Sequence, residues 1–327
     1  MIPLLLAAAL ANTQNLTFGV APPSPQGTAV QQARRIASRL PKNLVSVTAF
    51  VAPAEDLAAV RQALESGLAR YGQPALAVVG VGGLGDPGAR VSIEHVSSAA
   101  RPVNPHGIAF VAGQPASAEK PLAEVAPLVE KSFADLRKAH AAAGLTGAEV
   151  LRLTCFVSSL ADLAAVRRLA AAEFPAAAHN YVQLVRSPDR AVVECETVLR
   201  LRSSPAERLK MVQPEGLASS PNYSHVALLA PGKVAFSGLH YAAGTQDPDA
   251  RSLFSSLGQT LTAAGSSLRG VAMSSLYPTS PAASDLIRRI RFEFYDRARP
   301  PASTMLVFES LPAAASFAAQ VVAVVHR

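Results

Sequence analysis

The sequence predicts an α+β fold built from three copies of one β-β-α-β-α-β-β unit. Three observations carry that expectation. The segment TAFVAPAEDLAAVR (Thr48–Arg61) returns 106 residues later as TCFVSSLADLAAVR (Thr154–Arg167). A looser third copy, SLYPTSPAASDLIR (Ser275–Arg288), carries two extra residues in its loop. Around each copy, stretches alternating with a period of two are interleaved with stretches of helical period. A repeat of this length is a domain rather than one turn of a solenoid.

The repeated segment opens with a β-branched and aromatic run, Thr-x-Phe-Val, which favours a strand. A turn follows. Asp56, Asp162 and Asp285 then fall where an acidic group favours a helix N-terminus through capping and the macrodipole. Leu57, Val60 and Leu64 form an apolar stripe at helical spacing, as do Leu163, Val166 and Leu169. Two strands come next in each copy: 75–81 and 89–96, 180–185 and 191–199, 304–308 and 316–325. Turn residues such as Asp86-Pro87-Gly88 and Ser187-Pro188-Asp189 separate them.

Upstream of each repeated segment lies a second helix. The spacing predicts 27–40, stopped by Pro41; 121–143, with Leu122, Val125, Leu128, Val129 and Phe133 in register and Gly144 as the cap; and 250–264, ended by Gly265. A strand precedes each helix, at 16–20, 108–112 and 233–237. In the third copy, 225–229 reads as a hairpin partner of 233–237, and Pro3–Leu10 would occupy the same place in the first. The units are therefore 1–97, 98–202 and 203–327, with Ser, Pro and Glu enriched in the second linker.

Residues 1–11 admit two readings. They form either a first strand or the apolar core of a signal peptide with a small-x-small end, though without a basic leader. Both a cytoplasmic and an exported protein remain open. The run is too short to span a bilayer, so no membrane partner is expected.

Half of the residues are apolar, enough for a well-buried core. The Ala excess points to a GC-rich bacterial genome. Thirty basic against 23 acidic residues leave a net charge of +7. The basic residues are scattered, and the densest groups, such as Arg34-Arg35, Arg167-Arg168 and Arg288–Arg291, sit in helical patterns. A solvated helix face explains them, and no nucleic-acid partner is expected. Cys155 and Cys195 lie in apolar β-like runs without a CxxC spacing, so buried thiols are expected and no disulfide framework is implied.

Two familiar chemistries are excluded as expectations. GVGGLG (Gly80–Gly85) satisfies GxGxxG, but a dinucleotide site needs a helix to begin there. Asp86-Pro87-Gly88 instead makes a turn into another strand. His95, His106, His140, His225, His240 and His326 show no HxH or HxxxH spacing, so neither metal nor cofactor is expected. GxSxG and P-loop patterns do not occur.

The chain resembles the Rid (YjgF) family in all three units. Val79–Glu94 is similar to that family's final hairpin, VAFSG (Val234–Gly238) to its S-G strand, and PNYS (Pro221–Ser224) to its P-Y-S motif. AAAGL (Ala141–Leu145) and AAGSSL (Ala263–Leu268) resemble its helix end before the Thr-x-Phe-Val strand. The resemblance implies a chorismate mutase-like fold. Family members are typically homotrimers with ligand clefts between subunits, so three linked units imply a monomeric, intramolecular pseudo-trimer with a small-molecule ligand. Linkage would make assembly independent of concentration.

Family deaminases hydrolyse enamine or imine intermediates, holding the substrate carboxylate with an Arg before the penultimate strand. Here that position holds Leu76, His179 and Ser303 in turn. The family's last-strand Glu, which positions or activates water, aligns with Glu94, Glu196 and Gln320. No unit has both groups. Loss of a charge-assisted pair weakens carboxylate binding by about tenfold to a hundredfold. The resemblance therefore implies binding of a small carboxylate or related metabolite, with Glu94, Tyr223, Ser237, Gly238 and Ser303 as ligand-lining residues. Its alternative is a deaminase-type hydrolase with a single active cleft in which His179 and Glu196 are the catalytic pair.

Overall fold

The computed structural model describes residues 8–326. In the first third, β1 (Ala9–Asn12) and β2 (Leu16–Val20) precede α1 (Ala29–Arg39), β3 (Leu44–Val51) and α2 (Leu57–Leu68). They are followed by β4 (Ala75–Gly80), the short β5 (Gly83–Leu84) and β6 (Val91–Ser98). The second third comprises β7 (Ile108–Ala118), α3 (Ala126–Ala142), β8 (Val150–Val157), α4 (Leu163–Glu173), β9 (Ala178–Gln183) and β10 (Ala191–Arg200). The last third holds β11 (Leu209–Val212), β12 (Val226–Leu229), β13 (Lys233–Phe236), β14 (His240–Ala242) and α5 (Asp247–Ala263). It closes with β15 (Val271–Pro278), α6 (Pro281–Ile290), β16 (Ala302–Met305) and β17 (Phe317–Val324).

One strand order occurs three times: β2-β6-β3-β4, β7-β10-β8-β9 and β13-β17-β15-β16. The final pair of each is parallel, whereas the preceding pairs are antiparallel. A parallel pair needs a crossover, and α2, α4 and α6 supply it. The fold is thus α+β with three repeats. Each sheet buries one face under its own two helices: Val47 and Val51 against Ile36 and Leu64, Leu153 and Val157 against Phe133 and Val166, and Val271 and Leu276 against Phe254 and Ile287.

The opposite faces meet one another. Phe18, Phe110 and Phe236, one from each sheet, share a single buried cluster. A second cluster joins Phe50, Phe156 and Phe308, with Phe156 edge-on to both others at 5.9 and 5.5 Å between centroids. With helices on one side and the shared core on the other, the central strands are buried on both faces. This explains why their sequences read as near-continuous apolar runs.

Several local expectations are corrected. The segments 225–229 and 233–237 do not form a hairpin. Instead β12 pairs with β7 of the preceding sheet and β13 pairs with β1 from the start of the chain. Each leading strand thereby extends a neighbour's sheet, because its free edge lies beside a different repeat. The Pro3–Leu10 strand or signal segment lies mostly outside the described residues, although Ala9 and Leu10 belong to β1. The second upstream helix starts at Ala126 rather than Pro121, and Leu122 is exposed.

Cys155 and Cys195 are not free thiols. They are directly opposite on β8 and β10, with Cα atoms 4.1 Å apart, and are joined as a disulfide. Both lie in the helix-side core.

The acidic residues also act differently from simple caps. The Asp162 carboxylate accepts from Val125 N at 2.9 Å and Ala126 N at 2.7 Å, so it caps α3 rather than its own helix. Asp56 pairs with Arg90 and makes no side-chain cap. Asp285 lies within α6, whose cap is Ser280.

The glycine run forms β5, which pairs with β9 and ties the first repeat to the second. A Cβ at Gly82 would stand 2.3 Å from the Val185 carbonyl carbon, so close backbone approach requires glycine there.

Candidate functional site

Strand alternation splits the sequence-predicted residues between two environments. On β6, β10 and β17, Glu94, Glu196 and Gln320 point inward to a small cavity of about 70 Å³ at the shared core. Each reaches across a seam to the next repeat. Glu94 accepts from Thr154 Oγ1 at 2.6 Å and Asn180 Nδ2 at 2.8 Å, and pairs with Arg152 Nη1 at 3.2 Å. Glu196 accepts from Thr304 Oγ1, whose oxygen in turn accepts from Gly113 N at 3.0 Å. Gln320 Oε1 accepts from Thr48 Oγ1 at 3.3 Å. The repeat positions expected to serve a cleft thus also form a ring of inter-repeat hydrogen bonds.

The structure does not bring His179 and Glu196 together. In the ladder Glu196 stands opposite Thr154 on β8, while His179 stands beside Leu153. Neighbouring strand residues face opposite sides. His179 therefore sits on the helix side, where its Nε2 lies 2.9 Å from Phe174 O. A carbonyl only accepts, so Nε2 carries the proton and Nδ1 is the acceptor in the neutral ring.

Burial pushes the Glu196 carboxyl up to about 7, with Thr304 and Arg152 opposing the rise. Burial and repulsion from Glu196 push Glu194 up to about 8. Both values are raised above the ordinary 4.5, so the folded state holds these protons more tightly than the unfolded chain. Their contribution to stability is full below about pH 4.5 and is lost as pH rises through 7–8. Glu196→Gln is expected to flatten that slope, gaining on the order of 2 kcal/mol over the parent at pH 9 and little at pH 5. Urea unfolding at the two pH values measures it, and identical slopes in both proteins refute it.

Two larger clefts open on the outside, each at a seam. The first, about 450 Å³, lies between the end of β2 in the first repeat and α4 with β9 in the second. His179, Asn180, Tyr181, Ser92 and Arg167 line it. Arg167 Nη2 pairs with Asp86 at 2.7 Å, and its guanidinium carbon stands 5.8 Å from the Tyr181 ring centre. Burial pushes the Tyr181 phenol up to about 12. Ser92 Oγ donates to Asn180 Oδ1 at 2.9 Å, which links this cleft to buried Glu94 behind it.

The second cleft, about 560 Å³, lies between α2 with β4 in the first repeat and β13–β14 in the third. Leu76, Gly238, Leu239, Tyr241 and Arg61 line it. Leu76 and His179 occupy the same place in their repeats, since Thr48 pairs with Ala77 as Thr154 pairs with Asn180. Arg61 and Arg167 are likewise the matching last residues of the repeated segment. Arg61 Nη1 donates to the Tyr241 hydroxyl at 2.7 Å and Nε donates to Glu65 at 2.8 Å.

The third seam carries Ser303, whose Oγ accepts from Arg291 Nη1 at 3.3 Å. Burial lowers the Arg291 guanidinium to about 10, and its Nε has no hydrogen-bond partner. Tyr223 is half-buried, with its ring 5.1 Å from that of His225. Ser237 is fully buried, and its Oγ accepts from Val321 N at 2.9 Å.

Of the sequence-predicted residues, His179 and Gly238 line open clefts, Glu94 and Glu196 line the inner cavity, and Ser237 braces β17. Arg61, Arg167, Tyr241 and Arg291 escaped the sequence reading. A signal for the first two was present, because both close the repeated segment. Among the described residues no three His, Cys, Asp or Glu side chains converge as metal ligands, and no helix is long and apolar enough to cross a membrane.

No protein-family model matches the chain, and no curated protein matches it. Solved structures do. A conserved Rid protein of unknown function from Yersinia pestis is 18% identical, covering 36% of this chain and 98% of its own, with a TM-score of 0.33. A YjgF/YER057c/UK114 family member from Mycobacterium tuberculosis is 19% identical over 36% of this chain and 99% of its own, with a TM-score of 0.27. A putative endoribonuclease L-PSP from Entamoeba histolytica is 17% identical over the same shares, with a TM-score of 0.26.

Proposed function

We propose that the chain is a Rid-like protein whose repeats, 1–97, 98–202 and 203–327, act as a monomeric pseudo-trimer that binds a small carboxylate or related metabolite in clefts between repeats. The observation that carries this reading is positional. The clefts of about 450 and 560 Å³ lie at corresponding seams, and each has an arginine from the same repeat position. Such volumes suit small-molecule ligands. An arginine fork suits a carboxylate.

Titration with pyruvate, 2-oxobutyrate and longer monocarboxylates, followed by calorimetry, tests it. Saturable binding by a protein of monomeric mass is expected, and a failure of every acid to bind overturns it. Arg167→Gln is expected to weaken binding in the cleft between the first and second repeats about tenfold to a hundredfold.

The deaminase alternative draws on His179, which lines the cleft between the first and second repeats. Its partner Glu196 lies on the other face of the sheet, so binding without turnover is the reading favoured here. Hydrolysis of 2-aminoacrylate with ammonia release, abolished in His179→Ala, would replace binding by catalysis.

A further inference from the structure

The two open clefts share their arginine but differ in their floors. In the cleft between the first and second repeats, the floor positions are His179 and Tyr181. In the cleft between the third and first repeats, the corresponding positions are Leu76 and Val78. Leu68 and Leu239, both nearly fully buried, extend this apolar surface, and Pro312 adds to it from the third repeat. A strongly hydrated body would lose water there without replacement hydrogen bonds, whereas an apolar body gains.

Arg61 is the cation of this cleft, and its donors are only partly committed. A guanidinium has five N–H groups. One goes to Glu65 and one to the Tyr241 hydroxyl, which leaves three. The Glu65 pair is exposed and adjacent in the helix, a class of pair that holds its partners weakly. The Tyr241 ring, 5.4 Å from the guanidinium carbon, orients the fork at the mouth of the cleft. A charge at the rim and an apolar wall behind it define an amphipathic pocket.

We propose that the cleft between the third and first repeats binds monocarboxylates with an apolar body, aryl-alkyl or branched-alkyl, with the acid group on Arg61 and the body against Leu76. This rests on the seam-binding reading and adds to it the ligand class and the residue that selects it. The anionic group is held by a helix arginine at the rim, and the strand position behind it selects for hydrophobicity.

3-Phenylpropionate is the probe, with its alcohol, 3-phenylpropan-1-ol, and pyruvate as comparators, measured by ligand-observed NMR on the full chain. The acid is expected to bind at least tenfold tighter than the alcohol. Arg61→Gln is expected to remove that preference, weakening the acid about tenfold to a hundredfold and leaving the alcohol unchanged. Leu76→Asn is expected to weaken acid and alcohol alike. Arg137→Gln, which removes a surface pair on the second repeat, is expected to change neither. Equal affinity for acid and alcohol, or undiminished acid binding in Arg61→Gln, overturns the assignment. So does the absence of phenylpropionate binding. If pyruvate still binds in any of those cases, the seam-binding reading stands while this one falls. Circular dichroism and melting of each variant establish that the fold is retained.

Discussion

Replacing Arg152 by leucine is expected to lower the free energy of unfolding by about 3 kcal/mol. Arg152 pairs with Glu94 at 3.2 Å across the seam between the first and second repeats, and the Glu94 side chain is 4% exposed. Taking the cation away leaves a buried carboxylate with two neutral donors, Thr154 and Asn180. These satisfy its lone pairs but not its charge. The double variant Arg152→Leu with Glu94→Gln is expected to recover most of the loss, because the amide keeps hydrogen bonding without the buried charge. Equilibrium urea unfolding of the three proteins tests this. A loss below about 1 kcal/mol in the single variant would place the pair with solvent-screened ion pairs instead.

The second large effect is expected on reducing the Cys155–Cys195 bond. It closes a loop with a sequence separation of 40, for which the chain-entropy treatment gives roughly 4 kcal/mol. The bond ties β8 to β10 inside the helix-side core of the second repeat. Reductant should therefore lower the unfolding midpoint of the whole protein, because the inner faces of that sheet also build the shared core. Unfolding with and without dithiothreitol, with thiols counted by mass spectrometry, measures it. An unchanged midpoint in fully reduced protein overturns the expectation.

Much of the fold was legible because the repeat is written locally. Thr-x-Phe-Val makes a strand and the Leu/Val stripe after Asp56 or Asp162 makes a helix, whatever their neighbours do. What escaped was what distant segments decide together. The pairing of β1 with β13, more than 200 residues on, leaves no mark on the alternation of either. The same holds for the Cys155–Cys195 bridge, since each cysteine sits in an ordinary apolar run and only the register sets them opposite. Asp162 was placed at the right helix end by spacing, but its carboxylate caps α3, which tertiary packing brings beside it.

The candidate site was legible only in part. Position within the repeat identified Leu76, His179 and Ser303 as equivalents, and the structure sets the first two in matching clefts. Whether a strand residue faces the cleft or the inner cavity depends on the sheet's faces, so Glu94 and Glu196 fell on the far side from His179. Arg291 reaches Ser303 from twelve residues upstream, a substitution of reach for position that spacing alone does not show.

The exchange of leading strands bears on how the molecule can be dissected. Fragments cut at the boundaries that the sequence suggests would each lose a strand to another fragment or keep one with nothing to lie against. Such fragments are expected to be sticky and poorly soluble when expressed singly. Co-expressed pieces, by contrast, should find one another, so that the chain can be interrupted yet not subdivided.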